Sequence, residues 1–275
     1  MAGAGAGLCR PADPGLPLGG MYRLRRLPPA GGGDRRSMAE GRGRRRPVQR
    51  IRVKMAKLGD ARWISHLDLT RAIERALRRA HIDVAHSQGY NPLPRLSFAS
   101  ALTLGATSQA EYFEVDLARP MSSAQFQAAL EAQLPPGLEV REVCEVPSAG
   151  RPLAAGVKAA TYRVTVRLSE TEDRFALHQA ALRFMQSSSH LLSRRREGRT
   201  RLVDARPLVE RLEVTEGPDF LELEMCILLD PRGTVKPEEV VAALAETVPI
   251  SLAPGAVLTH RMALHCSMTR KGGGS

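Results

Sequence analysis

Aromatic residues are scarce in this 275-residue sequence, at 4 %, with a single tryptophan. No strand-like stretch carries the aromatic pair on which RNA-recognition sheets stack bases, which argues against that binding device. The four cysteines, Cys9, Cys144, Cys226 and Cys266, stand far apart. That spacing excludes a zinc site, a redox pair or an iron–sulfur cradle, so reduced structural thiols are expected, with Cys226 acting as a small hydrophobe in an alternating run. No uninterrupted apolar run is long enough to span a bilayer and none resembles a secretory h-region, which predicts a cytoplasmic protein with no membrane contact. A Gly-rich phosphate loop, a Ser-His-Asp order and a metal-binding His pair are also missing, so those enzyme classes drop out and no cofactor or metal is expected.

What the chain does have is cationic charge, a formal +11. Such an excess suits a polyanion, although much of it sits before Pro47, where Gly/Ala/Pro-rich segments lead into Arg42-Gly43-Arg44-Arg45-Arg46. This leader (residues 1–48) has no apolar periodicity with which to offset its ordering entropy and is expected to be disordered. Either Met38 is the true start or the leader is a basic RNA-binding arm.

Regular patterning begins at Gln49. Ile51, Val53 and Met55 alternate with Arg52, Lys54 and Lys57, predicting a strand with a basic outer face. After the Gly59-Asp60 break, Ser65 precedes Asp68 by the capping-box spacing, so a helix should start at His66. Leu69, Ile73, Ala76, Leu77 and Ala80 recur as its buried face, and Arg71, Arg75 and Arg78 recur beside them as a basic stripe. Val84-Ala85 reads as the start of a second strand interrupted by the Ser87–Pro92 loop and resumed at Leu96–Ala99. Glu111–Leu117 alternates as a third strand, Ser122-Ser123 caps a helix through Leu134, and Leu138–Val143 is a fourth strand. The order is β-α-β-β-α-β, and the remainder repeats it: strand Tyr162–Leu168, helix Asp173–Met185, an arginine-rich strand-like segment Leu191–Leu212, strand Phe220–Ile227, a helix opened by Pro237, and strand Val257–Leu264. The expected fold is therefore α+β, two tandem ferredoxin-like (βαββαβ) halves at 49–147 and 161–268, joined by a linker at 148–160 and followed by a tail at 269–275.

Several strings carry a family resemblance: Lys57-Leu58-Gly59, Arg62 to Leu69, Glu74 to Ala80, Ser87-Gln88-Gly89-Tyr90-Asn91-Pro92, Leu96-Ser97-Phe98, Leu104-Gly105, Glu111-Tyr112, and Val203-Asp204-Ala205-Arg206-Pro207. Across most of the chain from Gln49 onward it resembles the radical-SAM-linked protein family. That resemblance implies a genetic setting beside, or fused behind, a radical-SAM protein with a cobalamin-binding-type domain, often near ribonuclease E/G and ribosomal-protein genes. It also implies a radical-SAM protein as partner. The chain cannot be the radical enzyme itself, because three closely spaced cysteines are missing. At the level of fold alone, the tandem ferredoxin-like arrangement is similar to that of repeat-associated RNA-processing endonucleases.

The residues proposed to bind RNA or a partner are Arg62, His66, Arg71, Arg75, Arg78, Gln88, Gly89, Tyr90, Asn91, Arg95, Arg199 and Arg206. The arginines supply cations, Gln88 and Asn91 supply base-edge hydrogen bonds, and Tyr90 supplies a stacking face. The second basic cluster, Arg194-Arg195-Arg196 with Arg199, Arg201 and Arg206, is expected on an exposed hairpin, with Asp204 fixing the Arg206 fork as a bidentate structural pair. Three functional readings follow. The leading one is a non-catalytic RNA-binding or substrate-presenting partner of a radical-SAM enzyme acting on tRNA, rRNA or a ribosome-associated substrate. The second is a metal-independent RNA-processing endonuclease using His66 and His86, with Tyr90 in support. The third is a protein-only adaptor for the radical-SAM enzyme.

Overall fold

The structure, a computed structural model, describes residues 47–148, 152–168, 170–196, 198–230 and 233–266, and of Arg196 and Arg199 only the backbone. The leader as far as residue 46, Cys9, part of the expected linker and the 269–275 tail lie outside the described residues.

In chain order the elements are β1 (Gln49–Lys57), a 3₁₀ turn Gly59–Trp63, α1 (His66–Arg79), β2 (Leu96–Phe98), β3 (Thr107–Leu117), α2 (Ser123–Glu131) and β4 (Leu138–Val146). There follow α3 (Leu153–Gly156), β5 (Val157–Arg167), α4 (Thr171–Gln186), the hairpin β6 (Leu191–Arg196) and β7 (Arg199–Asp204), a 3₁₀ turn Arg206–Leu208, β8 (Val209–Glu216), β9 (Phe220–Leu228), α5 (Pro237–Glu246) and β10 (Val257–Cys266). The fold is mixed α+β. One eight-stranded mixed sheet runs β4-β1-β3-β10-β5-β9-β8, with β2 also paired to β3, while β6 and β7 form a separate two-stranded sheet.

The alternation in β1 does what its period requires. Ile51, Val53 and Met55 enter a core with Phe113 and Val115 of β3, against Leu69, Ile73 and Leu77 of α1 and Phe126 and Leu130 of α2. A second core joins Val164 of β5 and Leu221, Leu223 and Met225 of β9 to Leu177 and Phe184 of α4 and Val240 and Leu244 of α5. The two cores meet at the parallel β3/β10 seam, where only His260↔Thr107 and Arg261↔Ser108 are in register. Arg261, 2 % exposed, bridges them by donating to Glu111 Oε1 at 2.9 Å and to the Tyr162 hydroxyl at 2.9 Å. All four longer helices therefore cover one face of the sheet. On the opposite face cross-strand ion pairs close on one another: Arg50–Asp116 at 2.6 Å, Arg52–Glu114 at 2.6 Å, Arg163–Glu222 at 3.1 Å and Arg211–Glu224 at 2.8 Å.

Several sequence expectations need correction. Lys57 is not on the outer face: two residues beyond Met55, it shares the phase of Ile51, Val53 and Met55, so the alternation of β1 turns it inward, and it is 2 % exposed. Its ammonium donates to the carbonyls of Arg62 (3.2 Å) and Ile64 (3.0 Å), and burial pushes its pKa down, with Glu111 opposing. Val84 and Ala85 start no strand, because the chain makes only isolated bridges there, Val84↔Leu117 and His86↔Pro94, before the short β2. Helix α2 stops at Glu131 rather than Leu134. The linker is shorter than expected, since α3 and the first residues of β5 occupy 153–160. Leu191–Leu212 is a hairpin, a 3₁₀ turn and the start of β8 in place of one strand-like segment.

Candidate nucleic-acid interface

Helix α1 begins where its cap dictates. The Ser65 hydroxyl accepts from the Asp68 amide at 3.1 Å and donates to the Asp68 carboxylate at 2.7 Å. That bond, with Arg71 adding, holds the Asp68 carboxyl below the usual aspartate range. With Leu69, Ile73, Ala76 and Leu77 turned into the core, Arg71, Arg75 and Arg78 are exposed on the far side. Arg71 lies 3.4 Å from Asp68, whereas Arg75 and Arg78 form no ion pair among the described residues. Arg79 leaves the stripe to bond Gln133 beyond α2.

Two structures flank this stripe. At the N-terminal end of α1, the Gly59–Trp63 turn is pinned by the buried Lys57 ammonium and by the Gly105 amide, which donates to the Arg62 carbonyl at 2.9 Å. Trp63 emerges from this turn 63 % exposed, with the Arg62 guanidinium 5.3 Å from its ring centre. Leu67 and Leu104 are exposed as well. At the other end, His81 takes a left-handed φ of 55° to stop the helix, and the chain enters a pinched loop. Ser87 closes it twice, donating its amide to the Leu93 carbonyl at 2.8 Å and accepting the Leu93 amide at 3.0 Å. Gln88, Gly89, Tyr90 and Asn91 form the exposed tip, and the Tyr90 side chain is fully in solvent.

The other candidates are committed elsewhere. Arg95 pairs with Asp116 at 2.9 Å. Arg206 does not pair with Asp204 through its fork: it donates to the carbonyls of Met185 (3.1 Å) and Val209 (2.8 Å), tying the last turn of α4 to β8. The Asp204 carboxylate instead accepts the His190 amide (2.8 Å) and the Arg206 amide (3.2 Å), and these bonds hold its pKa down. The side chain of Arg199 lies outside the described residues. Arg194, on the hairpin, is held by Glu239 and the Thr234 carbonyl.

The histidines do not come together. His66 packs edge-on against Phe98 with ring centres 5.0 Å apart, and Phe98 stands opposite Phe113. His86 is exposed and donates Nδ1–H to Val84 at 2.9 Å, and Val84 stands opposite Leu117. Those anchors stand four residues apart along β3, roughly 13 Å, and no contact joins the two rings among the described residues.

The open face of the sheet holds a cavity of about 450 Å³ lined by Ala159, Thr161, Glu210, Arg211, Cys226 and His265. There the Cys226 thiol donates to Glu210 at 3.4 Å, and Thr161 Oγ1 meets His265 Nε2 at 2.7 Å. Burial and Glu210 push the Cys226 thiol up, so it stays protonated and is no nucleophile at neutral pH. Among the described residues no group of three or more His, Cys, Asp or Glu side chains could hold a metal ion, and no helix is long and apolar enough to cross a membrane.

Trp63 and its neighbours Leu67 and Leu104 escape sequence reasoning. The one available signal was a lone tryptophan just before a helix cap, next to an arginine; Leu67 falls outside the Leu69/Ile73/Ala76/Leu77 spacing.

Residues 50–249 match a family model described as an uncharacterized protein conserved in bacteria (DUF2344). No curated protein matches the sequence. Among solved structures, the chain is similar to the crystal structure of a Cbf5-Nop10-Gar1 complex, with a TM-score of 0.46 and 10 % identity over 78 % of this chain. It spans about half the length of that chain, 48 %. A second likeness is to an unknown protein from Galdieria sulphuraria, with a TM-score of 0.21 and 14 % identity over 72 % of this chain and 90 % of that one. Neither likeness is close enough to bear on fold or function.

Proposed function

We propose that this chain, which belongs to the bacterial family DUF2344, is a non-catalytic RNA-binding module of the cytoplasm that presents tRNA, rRNA or a ribosome-associated substrate to a radical-SAM enzyme. The observation that carries the RNA reading is the contrast between two faces. Arginines on the open sheet are neutralised by carboxylates one strand away, whereas Arg75 and Arg78 stand exposed on α1 with no ion pair among the described residues. A cation already matched to a carboxylate gains little from a phosphate; an unmatched one releases counterions on binding. The loop tip adds hydrogen-bonding and stacking groups beside the stripe.

The strand orders β4-β1-β3-β2 and β10-β5-β9-β8, each with one helix after its first strand and one after its third, support reading the sheet as two ferredoxin-like halves. The radical-SAM partner is supported by the sequence resemblance. Exposed Leu67 and Leu104 favour a second reading, an adaptor that binds that enzyme alone.

Filter binding of tRNA and rRNA fragments across a salt series tests the main reading. Affinity should fall with salt, and changing Arg71, Arg75 and Arg78 to Gln should reduce the slope by about 0.7 for each single-strand phosphate that is no longer neutralised. No affinity for RNA at low salt, or binding unaltered when the three become Glu, would sink it. Co-purification with the radical-SAM protein in the absence of RNA would favour the adaptor.

A further inference from the structure

Trp63 is the chain's only tryptophan, and it is mostly in solvent. Its setting is rigid. The carbonyls on either side of it, those of Arg62 and Ile64, are both held by the buried Lys57 ammonium. The ring edge rests on Gly105, whose φ is +87° and where a Cβ would lie 3.4 Å from Cζ3. The left-handed backbone there is what calls for glycine, and the indole lies in van der Waals reach of it. An exposed aromatic ring held this firmly loses little freedom when a partner stacks on it.

The surroundings choose the partner. Arg62 lies over the ring, and its Nε is buried without a hydrogen-bond partner among the described residues. Arg71, Arg75 and Arg78 lead away along α1, and the nearest acid in the helix, Asp68, is already engaged by Ser65 and Arg71. A flat apolar ring beside a line of cations complements a base attached to phosphates.

Resting on the RNA-binding reading above, we propose that Trp63 is the stacking platform for an unpaired base of single-stranded RNA, with the α1 arginines taking the phosphates that follow. The platform belongs to the N-terminal end of α1, distinct from the Tyr90 loop at the other end.

Because the indole is unique, it reports its own occupancy. Titrating the full chain with a short oligoadenylate, with excitation restricted to tryptophan, should quench its fluorescence in a salt-dependent manner. Heparin, which carries charge without bases, should bind with no comparable quenching. With labelled oligoadenylate read by anisotropy, Trp63→Ala should lower affinity roughly 5- to 150-fold and Trp63→Phe should recover part of it, while both variants keep the wild-type circular dichroism. Salt-dependent binding with unquenched indole and unchanged Trp63→Ala affinity would overturn the stacking platform and leave the RNA-binding reading standing. Failure to bind any RNA would overturn both. A blue shift of the indole on adding the radical-SAM protein, with no quenching by RNA, would make Trp63 a protein-docking residue and overturn the proposal.

Discussion

Arg261 is the place where one substitution should separate the two cores. The β3/β10 seam has only two residues in register, so its strength depends on side chains. The guanidinium donates to Glu111 (2.9 Å), to the Tyr162 hydroxyl (2.9 Å) and to the Ala101 carbonyl (2.9 Å), and it lies 5.3 Å from the Tyr162 ring centre. Burial works against its charge, but Glu111 and Tyr162 outweigh that and raise its pKa. Glu111 is 1 % exposed, so Arg261→Met would leave a buried carboxylate without its partner, a loss of about 3–5 kcal/mol. Against a total stability of about 5–15 kcal/mol this is a large share. With a urea slope of about 3 kcal/mol/M, the midpoint should fall by about 1 M or more. Trp63 reports the first core and far-UV circular dichroism reports both, so the two transitions should coincide in the wild type and part in Arg261→Met. The double change Glu111→Leu with Arg261→Met removes both charges and should recover much of the loss. A single variant within about 1 kcal/mol of wild type, below the range expected for breaking a buried pair, or a double variant no better than the single, would refute the account.

Other outcomes follow from the same structure. Ser65→Ala removes the cap of α1 and should cost about 1 kcal/mol by denaturant titration. Because the folded Asp68 pKa is depressed, its contribution is present above the ordinary aspartate range and is lost as pH falls through the folded value. Asp68→Asn should therefore flatten the acid limb of the stability curve, and an unchanged limb would remove Asp68 from it. Gly137 has a φ of +83°, and a Cβ there would lie 2.6 Å from the Leu58 carbonyl oxygen; Gly137→Ala should lose about 1–3 kcal/mol from the backbone conformation alone, and a thermal midpoint equal to wild type would contradict this. Arg206→Ala should lower stability by about 1.5–3 kcal/mol through its bonds to the Met185 and Val209 carbonyls, with RNA affinity in filter binding unchanged. A drop in affinity at unchanged stability would return Arg206 to the interface.

What the sequence determined by itself is what a local period or a short-range bond encodes. The alternation of Ile51, Val53 and Met55, the Ser65 cap, the buried face of α1 and hence the outward position of Arg71, Arg75 and Arg78 all follow from residues within a turn or two of one another. The Gly/Pro-punctuated loop around Tyr90 was legible for the same reason. The tertiary structure alone decided which cations remain available. Arg95 meets Asp116, and Arg206 meets the end of α4, through partners about twenty residues away, and no period encodes such partners. Lys57 shares the phase of Ile51, Val53 and Met55 and goes into the core by alternation alone, but only the fold supplies the carbonyls of Arg62 and Ile64 that take up its ammonium. That buried ammonium in turn anchors the Trp63 turn, so the exposure of the indole depends on the inner face of β1 and on Gly105, some forty positions further along the chain.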